Sequence, residues 1–93
     1  MKTIIITGCS GSIGSYLVNY FRKKKYKVIG IDKVKPVNKN FDFYKIDIKV
    51  EKKLSKIYKK IKKKYGKVDI LINSAGYIHN ELFVNFSKNI KFH

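Results

Sequence analysis

Residues 2–14 read KTIIITGCSGSIG: a β-branched run that stops at a glycine, then two more glycines at three-residue intervals. Lys2 to Thr7 suits a buried parallel strand. The three glycines, Gly8, Gly11 and Gly14, follow it directly, and a helix opens inside the loop at Ser12. Glycine in the first position permits a tight turn. In the second it lets backbone approach a pyrophosphate, and in the third it lets the helix pack close to the strand. Free N–H groups and the helix dipole then favour phosphate charge. A glycine triplet alone says little, but a strand before it and a periodic helix after it supply the expected context.

The rest of the chain alternates in the same way. Ile13, Leu17, Tyr20 and Phe21 form an apolar stripe that predicts a helix to about Lys24. Lys27 to Ile31 reads as a second strand stopped by Asp32, and Phe41 to Ile46 as a third. Val50, Leu54, Ile57, Ile61 and Tyr65 predict a second helix, ended by Gly66, whose other face is almost all lysine. Val68 to Asn73 is a fourth strand, and Tyr77 to His93 has weak helical spacing. This order predicts an α/β fold: a partial, doubly wound parallel sheet of about four strands in the order 3-2-1-4. Asp32 to Asn40 is short for a parallel crossover and contains Pro36, so a helix there must be reduced or missing.

Ninety-three residues make one domain. The apolar run Ile4 to Ile6 is too short for a signal peptide or a membrane span. A single cysteine, Cys9, excludes an internal disulfide, so a cytoplasmic protein with no membrane partner is expected. The net charge of +16 ordinarily suggests a polyanion. Yet every basic residue except Arg22 is lysine, the poorer fork for phosphates and bases. More than half the chain is Lys, Ile, Asn and Tyr, whose codons are rich in A and T. A lysine-rich nucleic-acid-binding module therefore stands only as the alternative from another class.

Asp32, at the end of the second strand, is placed to accept both hydroxyls of an adenosine ribose and to repel a 2′-phosphate. That favours NAD over NADP, although Lys33 beside it would attract the phosphate. Cys9 reads as a small packing residue. His79 and His93 lack neighbouring ligands, so no metal site is expected.

TGCSGSIG, Asp32, KIDI with Asp47 and DILINSAG at residues 69–76 together resemble the short-chain dehydrogenase/reductase superfamily, from residue 2 to about 80. The resemblance covers the front of a longer protein. It implies that residues 1–93 are the N-terminal part of a single NAD(P)-binding Rossmann domain whose catalytic half is absent. Gly8, Ser10, Gly11, Ser12, Ile13 and Gly14 would hold the pyrophosphate, and Asp32 the ribose. Asp47 and Ile48 would frame the adenine. Asn73, Ala75 and Gly76 would lie by the nicotinamide half, with Asn73 tying strands together. The intact protein would transfer a hydride between the nicotinamide and a small alcohol or ketone, and would self-associate.

KYGKVDILINSAG is similar to the shorter oxidoreductase branch, with Ser74 where a second asparagine is usual. The glycine spacing instead matches TGxxGxxG of the extended, nucleotide-sugar epimerase/dehydratase branch. The family's Tyr-x-x-x-Lys pair has two imitations, Tyr20 with Lys24 and Tyr58 with Lys62, both on helices ahead of the fourth strand. No catalytic residue is therefore assigned. A non-catalytic relative of a longer protein is a further reading. A four-stranded remnant would also bare the outer edge of Asp69 to Asn73, inviting aggregation.

Overall fold

β1, Thr3–Thr7, is buried along its whole length, as its three isoleucines require. The computed structural model describes residues 1–38, 40–74 and 91–92. From β1 the chain passes through α1 (Ser12–Lys23), β2 (Lys27–Asp32), β3 (Asp42–Lys45), α2 (Glu51–Tyr65), β4 (Ile70–Asn73) and β5 (Lys91–Phe92). The sheet is parallel throughout, in the order β3-β2-β1-β4-β5.

The expected 3-2-1-4 core is present, and one strand more. β5 pairs with Ile70 and Leu71, so the outer edge of β4 is covered there rather than bare. The expected helical spacing from Tyr77 lies outside the described residues except at Lys91–Phe92, which are strand. Between β2 and β3 the described residues contain no helix, as the short Pro36 connection requires. The bond from Ile46 N–H to the Asp32 carbonyl, 2.9 Å, carries the β2–β3 pairing one residue past β3.

Strand alternation sorts the core into two layers. Ile5, Ile29, Ile31 and Leu71 point to the α2 side and meet Leu54, Tyr58 and Ile61. Ile4, Ile6 and Val28 point to the α1 side and meet Cys9 and Val18. The phase of α1 differs from the expected stripe. Its buried residues are Gly14 and Val18, flanked by Leu17 and Phe21, whereas Ile13 is 68% exposed and Tyr20 is 43% exposed. Gly14 causes the rotation. A Cβ there would lie 1.9 Å from the Gly8 carbonyl oxygen, so this edge of the helix rests on the loop backbone.

Both helices stop where their termini dictate. α1 closes with Lys25 in the left-handed region (φ 67°). Tyr26 N–H bonds the Phe21 carbonyl and Lys25 N–H bonds that of Arg22, each at 3.0 Å. The rings of Phe21 and Tyr26, 5.1 Å apart, pack over this turn. α2 ends at Gly66 with φ 74°.

At the amino ends of the strands, polar latches join neighbouring elements. Tyr65 donates to Asp42, which also pairs with Lys27 at 3.1 Å. The Tyr65 hydroxyl, more than anything else, holds the Asp42 carboxyl below its usual range, with Lys27 adding to it. Thr3 N–H donates to Asp69 at 2.8 Å and depresses that carboxyl likewise.

Candidate nucleotide site

The carboxyl ends of the strands surround a cleft of about 310 Å³. Its wall includes Gly8 and Gly11 from the loop after β1, Asp32 and Lys33 at the end of β2, Asp47 and Ile48 after β3, and Ser74 after β4. The strand order reverses between β1 and β4, and the cleft opens at that switch point.

The loop is shaped by its backbone. Gly8 has φ 70°, and its N–H donates to the Ile31 carbonyl at 2.8 Å, fastening the turn to β2. Gly11 N–H returns to the Gly8 carbonyl at 3.1 Å. No side chain caps α1, and no acidic residue stands in its first turn. The first-turn N–H groups of Ser12, Ile13 and Gly14 thus lack intrahelical acceptors and sit in a positive field. Nothing fills the space over Gly11: a Cβ there would meet only the Gly8 carbonyl oxygen, at an ordinary 3.5 Å. A diphosphate fits an amino end left open in this way.

The expected residues fall into three groups. Gly8, Gly11, Asp32, Asp47 and Ile48 line one cleft. Ser12, Ile13 and Gly14 form the first turn of α1 beside it. Ala75 and Gly76 lie outside the described residues. Asn73 bridges β4 to β1, accepting from the Thr7 hydroxyl at 2.7 Å. Ser10 is not part of this wall; its N–H donates to Asp32 Oδ2 at 2.9 Å and its hydroxyl to the Val34 carbonyl. Asp32 Oδ1 accepts from Val34 N–H at 3.2 Å, so both carboxylate oxygens are held. Asp47 accepts from Lys49 N–H at 3.0 Å, a local turn leading into α2. Ile48 is buried, serving the α2 core and the cleft wall together.

Several contributors were not foreseen, Ile31, Ile46 and Lys49 in the wall among them. Ser74 enters the wall because its N–H and hydroxyl both bond the Thr7 carbonyl, carrying β4 one step past its end. Its place next to Asn73 was the available signal. Gly30 supports the loop from below: a Cβ there would lie 2.7 Å from Cys9 Sγ and 2.4 Å from the Phe41 ring. Cys9 fills that space, 1% exposed, and burial pushes its thiol up to about 11.

Neither imitation of the Tyr-x-x-x-Lys pair reaches the cleft wall. Tyr58 is buried in the α2 core, and Lys24 lies over the Tyr20 ring at 5.5 Å on the outside of α1. Among the described residues there is no cluster of three metal-ligating side chains, and no helix long and apolar enough to cross a membrane.

The fold is an open, doubly wound α/β domain with a cleft at the switch point. A family model described as short chain dehydrogenase matches residues 2–92, and the chain belongs to this oxidoreductase family. A short-chain dehydrogenase from Leptospira borgpetersenii, solved with bound NAD+, superposes with a TM-score of 0.76 at 30% identity; the match covers 95% of this chain and 41% of that one. An NAD-dependent glycerol dehydrogenase of Listeria innocua is 32% identical over 83 residues, 81% of this chain and 33% of the relative. A dTDP-D-glucose 4,6-dehydratase of Dictyostelium discoideum is 35% identical over 105 residues, 99% of this chain and 23% of the relative. The chain therefore spans 33% and 23% of the length of these two curated relatives.

Proposed function

We propose that this chain is the cofactor-binding front of an NAD-dependent short-chain oxidoreductase, a cytoplasmic enzyme of small alcohols or ketones that self-associates at full length. The observation that carries the reading is one cleft lined by the glycine loop, Asp32 and Asp47 together. When bound, NAD supplies the hydride acceptor or donor. The chain's own residues bind and orient it. Gly8, Gly11 and the first-turn N–H groups of Ser12, Ile13 and Gly14 hold the diphosphate. Asp47 receives the adenine amino group beside the apolar wall of Ile48. Asn73, Ala75 and Gly76 flank the nicotinamide half.

The fixed carboxylate of Asp32 supports NAD over NADP. Each of its oxygens accepts one backbone N–H, which leaves a lone pair on each for the ribose hydroxyls. Held at two points, it does not swing aside for a 2′-phosphate. The exposed Lys33 attracts that phosphate only through water-screened charge.

Titration calorimetry tests this. NAD+ should bind with a Kd below about 1 mM, a ceiling of roughly −4 kcal/mol, and NADP+ about tenfold more weakly. Absence of heat with either dinucleotide at millimolar concentration would overturn it.

A second reading, the front of a nucleotide-sugar dehydratase or epimerase, is favoured by the TGxxGxxG spacing and by the Dictyostelium relative. Turnover of a nucleoside-diphosphate sugar by the product of the reading frame extended past His93 would select it; oxidation of a simple alcohol would select the first.

A further inference from the structure

The bonds around Asp32 form a closed circuit that ribose recognition does not need. Ser10 N–H reaches Oδ2 at 2.9 Å, Val34 N–H reaches Oδ1 at 3.2 Å, and the Ser10 hydroxyl returns to the Val34 carbonyl. Ser10 lies between Gly8 and Gly11, the two loop residues of the cleft wall. Its N–H would point into a gap between loop and β2 without the carboxylate. We infer that Asp32 is a positioning residue for the diphosphate loop as well as a ribose acceptor: it sets the loop's height over the sheet through Ser10. This inference rests on the dinucleotide reading and deepens it.

Hydrogen bonds to a charged acceptor are stronger than neutral ones, and their loss leaves a donor unpaired. Removing the carboxylate therefore loosens the grip on phosphate, at a distance from the ribose it also contacts. A substitution meant only to admit a 2′-phosphate has a second consequence here. Asp32→Ala should not yield a good NADP site, because the loop that holds the diphosphate relaxes with it. Asp32→Asn keeps one acceptor oxygen for Ser10 N–H while removing the charge, and so separates the two roles.

The test uses the 93-residue chain and two readouts. Amide hydrogen exchange at Ser10, read by NMR against the core amides of Ile5 and Ile29, needs no ligand. In Asp32→Ala the Ser10 amide should exchange about tenfold faster with the core amides unchanged, and Asp32→Asn should restore most of the protection. Inorganic pyrophosphate, which has no ribose, is the binding probe: both variants lose the same charge, so the loop's share is read as an affinity about fivefold weaker in Asp32→Ala than in Asp32→Asn. Equal Ser10 exchange in wild type and Asp32→Ala would overturn the inference, as would equal losses in the two variants. Failure of wild type to bind NAD+ would strike the dinucleotide reading instead, and the exchange measurement would still decide the role of Asp32.

Discussion

The two faces of the sheet are covered on different principles. On the α2 side, Leu54, Tyr58 and Ile61 drive into Ile5, Ile29, Ile31 and Leu71, and the helix is held by apolar volume. On the α1 side the closest approach is backbone on backbone, Gly14 against Gly8, with Val18 as the buried side chain of the helix. Seating a helix on a loop fixes its height and rotation but covers less sheet. The cost is visible beside β4, where Tyr16, Leu17, Tyr20, Phe21, Ile70 and Ile72 line an open apolar groove of about 380 Å³. One helix is placed to fill a core, the other to build a site.

The largest effect that would break this contrast is at Gly14. Gly14→Ala forces α1 off the loop and should cost about 3 kcal/mol in urea unfolding while abolishing dinucleotide binding. Gly11→Ala, with room for its Cβ, should change stability by no more than about 0.5 kcal/mol yet still weaken binding. Equal stability losses at the two glycines would refute the seating of α1 on the loop.

Leu54→Ala, on the other face, should cost about 3 kcal/mol by leaving a cavity in a closed layer. Val18→Ala should cost about 1.5 kcal/mol, since fewer methyl groups are lost beside a face that is already open. A reversal of that order would show that α1 is held by volume after all.

Cys9 sharpens the comparison through pH. Its thiol, buried under the loop, titrates near 11 in the folded chain against 9.0 when free. A raised pKa means the stabilising contribution is complete below about pH 9 and is lost as pH rises through about 11. The stability difference between wild type and Cys9→Ala should shift in favour of Cys9→Ala across that window. At pH 8, alkylation of the folded protein should run about a hundredfold slower than that of the unfolded chain.

The smallest effect is at the end of α1. Lys25 occupies a left-handed conformation that side chains disfavour, so Lys25→Gly should stabilise by about 1 kcal/mol, read as a higher thermal midpoint.

Much of this was legible in the sequence because the signals are local. The glycine spacing, the β-branched strands, Asp32 and the Gly66 stop each declare themselves within a few residues, and together they yield the sheet order. The phase of α1 was legible in part: the third glycine signals a close approach, but hydrophobicity ranks Ile13 and Tyr20 as buried, and both are exposed because the helix seats on Gly14. Tyr58, set aside as an imitation of the reactive pair, was left out of the expected apolar stripe of α2 and is a core residue. β5 rests on two residues, too short a run for any periodicity. The bonds of Ser10 to Asp32 and to the Val34 carbonyl leave no local signal, because their partners lie more than twenty residues away. Gly30 is silent in sequence because its role is the space that Cys9 and Phe41 occupy.

The outward side of α2 carries a consequence for the molecule among its own copies. Neither ion pair among the described residues engages a lysine of α2, although the helix exposes one on nearly every turn. Fifteen residues span about 22 Å, less than the roughly 30 Å over which charge is felt in dilute buffer of about 0.01 M. Approaching molecules therefore meet a continuous positive front, and dilute buffer keeps them dispersed despite the oily channel on the opposite side. Physiological electrolyte shortens that reach to about 8 Å, which relieves crowding of like charge along the helix and at the same moment lets the greasy sides touch.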